Sequence, residues 1–313
     1  MTVREYFDMW LQGKKTDLQR STYEAYTIYI DKHINPYFEA LGKPIEELKP
    51  RDINGYVVTK RNGGRMDGKK GGLSAVSVRK HLNVIKQAMR EAVMLEIISS
   101  NPAQPVRLPK MKETISKSAQ FIPLENAQKI LKTLKNHQLY PVVLLTLVYG
   151  LRRSEVLGLK WSAVDFDRME IRICHTVVKN LTIEAKDETK TMSSRRTFPL
   201  LQEVADVLKP IYEKETDRSG YIFHRTEGTP LRPDSVTRGF QRVLKRNGIP
   251  KMRFHDLRHA TASILFDKGW SVEDVKQWLG HSDIETTMNI YVNYNCTRKL
   301  KIGGSLEGIF TAT

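Results

Sequence analysis

The sequence predicts a mainly α fold with a small antiparallel β-sheet, an α+β class. Apolar residues recur at helical spacing along most of its 313 residues, and β-like runs are confined to one stretch between 170 and 200. Capping patterns stand at the heads of the helical stripes. Thr2-x-x-Glu5 and Ser21-x-x-Glu24 read as capping boxes, in which a hydroxyl and a carboxylate satisfy orphan backbone N–H groups. Tyr6, Trp10 and Leu11 follow the first, and Tyr26, Ile30 and Ile34 the second, so two amphipathic helices are expected. Asn62-Gly63-Gly64 and Gly68-Lys69-Lys70-Gly71-Gly72 cannot sustain regular structure, and beyond them Val78, Leu82, Ile85, Met89 and Val93 resume a helical stripe. A basic loop between two helical hairpins is expected.

Pro102, Pro105 and Pro109 then come in quick succession, each disfavouring helix at the residue before it, with Lys110, Lys112 and Lys117 adding charge. Residues 106–118 are read as a linker between a helical domain, 1–105, and a second domain, 119–313. The second domain should open with a helix over 124–134 and an apolar segment, 141–148, that must be buried, ended by Gly150. Three β-like runs, Glu170–Cys174, Leu181–Glu184 and Arg196–Leu200, suggest the small antiparallel sheet. Helices are expected to return over 201–214, over 235–247 before Gly248, over 256–268 before Gly269, and over 272–279 behind a Ser271-x-x-Asp274 cap.

The formal net charge of +16 points to a polyanionic partner, nucleic acid above all, because such a field attracts polyanions and speeds association with them. Two cysteines, Cys174 and Cys296, offer neither a disulfide framework nor a zinc ligand set. No metal or cofactor is expected. No apolar run approaches the length of a membrane span, and the N-terminus lacks the layout of a secretion signal, so the protein is read as cytoplasmic with no membrane partner.

Four residues near the C-terminus, with Arg152 upstream, carry the chemistry. His255-Asp256-Leu257-Arg258 places a histidine and an arginine three apart at a helix start, where both can face one anion and free N–H groups add to the attraction. His281 follows Leu279-Gly280, and the glycine lets the backbone turn the histidine toward a cleft. Tyr291 lies ten residues on, in a segment whose Ile284, Met288 and Tyr291 could share a helical face. Taken singly, each has an ordinary reading: a capping histidine, a solvated arginine, a loop histidine, a packed tyrosine.

Their order and spacing change that reading. Gly150-Leu151-Arg152-Arg153-Ser154-Glu155, Thr189-Lys190-Thr191 before Arg195-Arg196-Thr197-Phe198-Pro199-Leu200, His255-Asp256-Leu257-Arg258-His259, Leu279-Gly280-His281-Ser282 and then Tyr291 resemble the tyrosine recombinase (phage integrase) family. The resemblance covers most of 120–295. It implies a tyrosine-recombinase catalytic domain there and, more loosely, a helical core-binding domain before it.

The same resemblance implies a site-specific recombinase or integrase that cleaves and rejoins double-stranded DNA through a 3′-phosphotyrosyl intermediate. It also implies homo-tetramers on two synapsed sites, a role in integration or excision of a mobile element and an accessory DNA-bending protein. Tyr291 would attack the phosphate, Arg152 and Arg258 would clamp its non-bridging oxygens, and His255 would take the tyrosine proton. His281 would donate a hydrogen bond to the phosphate, Lys190 would protonate the leaving 5′-oxygen, and Glu155 would orient Arg152. Lys179 and Lys186 compete with Lys190, Arg153 with Arg152, and Tyr294 with Tyr291. A type IB topoisomerase and a catalytically silent DNA-binding regulator are the alternatives. The tail, 295–313, includes Leu300, Ile302, Leu306, Ile309 and Phe310 and is expected to pack as a last helix or to dock on a neighbouring subunit.

Overall fold

The computed structural model describes residues 1–65, 68, 70–107, 123–179, 183–186, 196–280, 284, 287, 288, 290–292, 294 and 295, with the side chains of 178, 179 and 183–186 outside the description. The chain divides into two compact units, Met1–Thr114 and Ile115–Thr313. The expected linker, 106–118, lies outside the described residues from 108 onward.

The first unit is helical. Thr2 caps α1 (Val3–Gly13) through the expected reciprocal box, with its hydroxyl accepting from the Glu5 N–H and Glu5 accepting from the Thr2 N–H. The second expected box does not form. Helix α2 (Arg20–Tyr29) has Gln19 at its N-cap without a side-chain cap, and Glu24 accepts from Arg20 Nε at 3.2 Å instead. Past Tyr29 the helix runs on through a π-helical stretch, Ile30–Ile34, into α3 (Asn35–Leu41). The wider π turn carries Ile30, His33 and Ile34 into the core.

Helix α4 (Pro50–Asn62) escaped the sequence reading, since its buried face is only Asp52, Ile53, Tyr56 and Val57. Its signal was Pro50 in the first turn, where a missing N–H is harmless. The glycine-rich stretch after it folds back on the end of α4: Gly64 bridges Gly72, and the Leu73 N–H donates to the Lys60 carbonyl. A Cβ on Gly72 would lie 1.7 Å from the Arg61 carbonyl oxygen, so only glycine fits. Helix α5 (Ala75–Met94), capped by Ser74, buries the predicted stripe of Val78, Leu82, Ile85 and Met89.

In the second unit α6 (Leu124–Leu134) leads into α7 (Tyr140–Tyr149), the apolar segment anticipated from sequence, which packs against α6, α9 (Gln202–Glu213) and α11 (Asp256–Asp267). A five-residue α8 (Arg153–Leu157) follows Gly150. The main sheet has the order β1 (Val164–Asp165), β2 (Glu170–Ile173), β5 (Arg196–Pro199), all antiparallel, with Ile171 opposite Phe198.

The expected strand over 181–184 belongs elsewhere. Its described part lies in β4 (Ile183–Lys186), which among the described residues pairs with β3 (Thr176–Lys179), a strand the sequence reading missed. Helices α10 (Pro233–Arg246) and α12 (Val272–Leu279) also belong to this unit, the latter with the expected Ser271 and Asp274 box. The fold is therefore mainly helical with a small antiparallel sheet. Among the described residues no helix is long and apolar enough to cross a membrane.

Candidate active site

The site grows from the join between α7 and α8. Gly150 ends α7 in the left-handed region at φ +62, and a Cβ there would meet Leu279 Cδ2 at 2.2 Å. That turn frees the Gly150 carbonyl, which accepts from Arg258 Nη1 at 2.7 Å. Gly280, also left-handed (φ +66), caps α12 and accepts from Arg152 Nη2 at 3.1 Å. Each arginine is thus held by the carbonyl of a helix-ending glycine.

Glu155 joins them. Its carboxylate, 1% exposed, accepts from Arg152 Nη1 (2.6 Å), Arg196 Nη2 (2.9 Å) and the Arg152 backbone N–H (2.9 Å), and lies 3.8 Å from Arg258 Nη1. Burial opposes ionisation, yet the Arg196, Arg152 and Arg258 guanidiniums together hold this carboxyl down at about 2. Arg152 is not in the helix at all. It occupies the extended N-cap position of α8, where the Glu155 carboxylate binds both its N–H and its side chain.

Arg258 sits on the first turn of α11 and is itself only 1% exposed. Burial, and then the neighbouring Arg152, push its pKa down, while Glu155 pushes it back up, and a guanidinium keeps its charge in such surroundings. Its Nη2 is buried without a hydrogen-bond partner among the described residues. A buried cationic N–H of this kind is what an anionic ligand oxygen would satisfy. The free amides expected at the start of α11 are instead spent in a tight turn: the N–H groups of Asp256, Leu257 and Arg258 donate to the carbonyls of Arg253, Phe254 and His255. Side chains, not amides, supply the donors here.

His255 stands at the N-cap of α11 with its ring 5.0 Å from that of His259. Burial, then His259, Arg258 and Arg152, lower its pKa to about 4, so the ring is a neutral proton acceptor near pH 7. Arg152 and His255 line one cleft of about 540 Å³ together with Arg153, Thr237 and Arg253. Arg153 turns toward α10, its Nη1 donating to Thr237 Oγ1 at 2.6 Å and approaching the Pro233 carbonyl at 3.4 Å. It does not share the Glu155 cluster.

The described contacts of Tyr291 are apolar. Its ring meets Phe266 edge-on at 5.1 Å, at the border of an apolar cluster of Phe266, Val275, Leu279 and Ile290. The expected shared face of Ile284, Met288 and Tyr291 is not the packed one. Thr287, Ile290 and Tyr294 are buried, while Ile284 and Met288 are exposed. Tyr294 stacks on Phe266 and donates its hydroxyl to Asp267 Oδ1 at 3.2 Å, the part of a core residue. Lys190 and His281 lie outside the described residues, as do the side chains of Lys179 and Lys186.

Sequence reasoning quoted Arg196 only as part of a motif and gave it no role. Its signal was the alternation on β5, where Arg196 and Phe198 share a face, with the guanidinium carbon 5.3 Å from the Phe198 ring centroid. Among the described residues no group of three or more His, Cys, Asp or Glu is placed to hold a metal.

Residues 120–298 match the phage integrase family, and residues 2–60 match the phage integrase N-terminal SAM-like domain. A tyrosine recombinase XerC-like protein of Caldanaerobacter subterraneus is 28% identical over 265 residues, spanning 76% of this chain and 68% of that protein. The ICEBs1 integrase of Bacillus subtilis is 25% identical over 317 aligned positions, 96% of this chain and 81% of its own. A Tn1549 transposon integrase solved with transposon right end DNA shares the fold at a TM-score of 0.75 and 20% identity, covering 97% of this chain and all of that one (100%).

Proposed function

Since the chain belongs to the phage integrase family and is a tyrosine site-specific recombinase, we propose that it cleaves and rejoins double-stranded DNA through a 3′-phosphotyrosyl intermediate. The supporting observation is the pair of guanidiniums, Arg152 and Arg258, fixed on the buried Glu155 carboxylate beside a neutral imidazole. A phosphodiester under attack gains charge on its non-bridging oxygens, and two rigid forks neutralise it without reorganising.

In this reading the Tyr291 hydroxyl attacks the phosphorus as His255 takes its proton. The bond to the 5′-oxygen breaks, and Lys190 supplies the proton that oxygen needs. His281 donates to the phosphate. In the second step a 5′-hydroxyl from the partner strand attacks the phosphotyrosine and releases the phenol, so the diester bond energy is conserved and no nucleotide is consumed. Arg258 Nη2 is the donor that waits for the phosphate.

The same reading has a homo-tetramer acting on two synapsed sites, with an accessory DNA-bending protein, to integrate and excise a mobile element. The likeness to integrases of an integrative element and a transposon supports that setting. The test is incubation of the full chain with nicked duplexes carrying candidate attachment sites. A denaturant-stable protein–DNA adduct should form, vanish in Tyr291→Phe and persist in Tyr294→Phe. An adduct that survives Tyr291→Phe, or its complete absence with the wild-type chain on sites it recombines, overturns the mechanism.

A further inference from the structure

The cleft beside the Glu155 cluster is larger than one phosphate requires. Its volume, about 540 Å³, lies within the ~300–1,000 Å³ range of sites that enclose a whole small molecule. Arg152 and His255 line it on one side. Arg153, Thr237 and Arg253, contributed by the start of α8, the first turn of α10 and the turn before α11, line it as well and have no part in the steps described above.

The guanidiniums there are held in place, Arg153 by neutral oxygens and Arg253 by a carboxylate. Arg153 donates to two neutral oxygens, the Thr237 hydroxyl and the Pro233 carbonyl, and Thr237 in turn donates to that same carbonyl at 3.1 Å. Its fork is therefore oriented without a carboxylate bonded to it in those contacts. Arg253 is more exposed, at 59% of its side chain, and its Nε and Nη2 both donate to Asp256 Oδ1 at 3.0 and 2.8 Å. The other Asp256 oxygen accepts from the Arg253 backbone N–H, which fixes the carboxylate and with it the guanidinium. In the contacts described, five arginines (152, 153, 196, 253 and 258) meet two carboxylates, Glu155 and Asp256, and three of the five, Arg152, Arg153 and Arg253, line the cleft.

We propose that Arg153 and Arg253 form a second phosphate-binding pair in this cleft, taking a backbone phosphate of the same DNA strand next to the scissile one. The pair sets the register of the strand, so that the phosphate at the Arg152 and Arg258 clamp is one particular phosphate and not its neighbour. The inference rests on the recombinase reading for the identity of the scissile phosphate, but its test needs no cleavage.

Each arginine that neutralises a duplex phosphate contributes about 0.9 to the slope of log affinity against log salt concentration. The full chain carrying Tyr291→Phe is titrated with a labelled duplex of mixed sequence over a range of salt. Arg153→Gln and Arg253→Gln should each lower the slope by about 0.9, and the double variant by about 1.8. Arg153→Lys and Arg253→Lys should restore it, since a lysine keeps the charge. Arg168, exposed on the turn between β1 and β2, is the control, and Arg168→Gln should leave the slope unchanged. Thermal unfolding of each variant separates lost contacts from lost structure, because a purely structural arginine would shift the melting temperature without changing the slope. A slope unchanged in either single variant removes the pair, and so does a drop of equal size in Arg168→Gln. If instead the slopes fall as stated while no covalent adduct is ever trapped with active wild-type chain, the phosphotyrosyl reading fails and the phosphate pair stands.

Discussion

Among the described residues each unit buries a polar cluster of aromatic or cationic groups, and these two are built on opposite plans. In the second unit three guanidiniums surround the carboxylate of Glu155, and the whole group stays ionised in the interior. In the first unit His81, 2% exposed, is hydrogen-bonded through Nδ1 to the Tyr56 hydroxyl at 2.8 Å and packs on His33 at 4.8 Å and Tyr29 at 4.7 Å, with Lys60 Nζ over the Tyr56 ring. Among the described residues no carboxylate is bonded to these rings. Burial, then His33 and Lys60, accordingly lower the His81 pKa to about 4, and burial with Lys60 lowers that of His33. A charge survives burial where a counter-charge is bonded to it, and elsewhere the group gives up its proton.

Removing the counter-charge is the harshest way to break this contrast. Glu155→Ala strands three arginines, two of them largely buried, and should cost about 3–5 kcal/mol, the usual penalty for an orphaned buried ion. Chemical denaturation of the full chain reads it, and a loss below about 1 kcal/mol would mean that solvent already screens the cluster.

Acid should separate the two clusters by pH window. For His81 the folded pKa lies below the ordinary 6.5, so the unfolded chain binds the proton first. Stability of the first unit is then full above about pH 6.5 and falls until about pH 4, by roughly 3 kcal/mol at 1.36 kcal/mol per unit. Glu155, lowered from 4.5 to about 2, gives a stability present above pH 4.5 and lost as pH falls toward 2, again roughly 3 kcal/mol. His255, lowered like His81 to about 4, loads the same window on the second unit, so hydrogen exchange on the full chain should show α7 amides still losing protection below pH 4, where α5 amides have levelled off. Identical profiles below pH 4 would show that Glu155 does not set acid stability.

Gly150→Ala probes the backbone that carries Arg258. An L-residue at φ +62 costs about 1–2 kcal/mol before Leu279 is displaced, so a loss of about 2 kcal/mol or more in thermal unfolding is expected. His81→Leu sharpens the comparison from the other side. It leaves the Tyr56 hydroxyl without its partner, for about 1–2 kcal/mol at pH 7, but should erase most of the slope between pH 6.5 and 4. A slope that persists in the α5 amides would assign the first unit's acid response to His33.

Much of this was legible in the residue order. The capping box at Thr2, the stripe of α5, the apolar α7 and the left-handed glycine after it all follow from local rules, and local rules are what a sequence displays. What was missed depended on tertiary context. Helix α4 hides behind a weak apolar pattern, and Ser21 lost its cap because the helix starts two residues earlier, with Gln19 at the N-cap. β3 pairs with β4 instead of joining the main sheet, a choice of partner that periodicity cannot express. In the candidate site only His255 and Arg258, three apart, were suggested by spacing and Arg152 came from the family resemblance, whereas Arg196 reaching Glu155 from a strand 41 residues away was not readable. Nor was the loss of the α11 amides to a tight turn.

Two of the bonds that aim Arg152 and Arg258 end on main-chain oxygens, those of Gly280 and Gly150. Mutation of a neighbouring side chain cannot delete such an acceptor, and it can be withdrawn only by re-winding a helix terminus. Variation in the surrounding sequence other than at Glu155 therefore leaves these two acceptors in place, while one substitution that straightens a terminus would swing its guanidinium out of line.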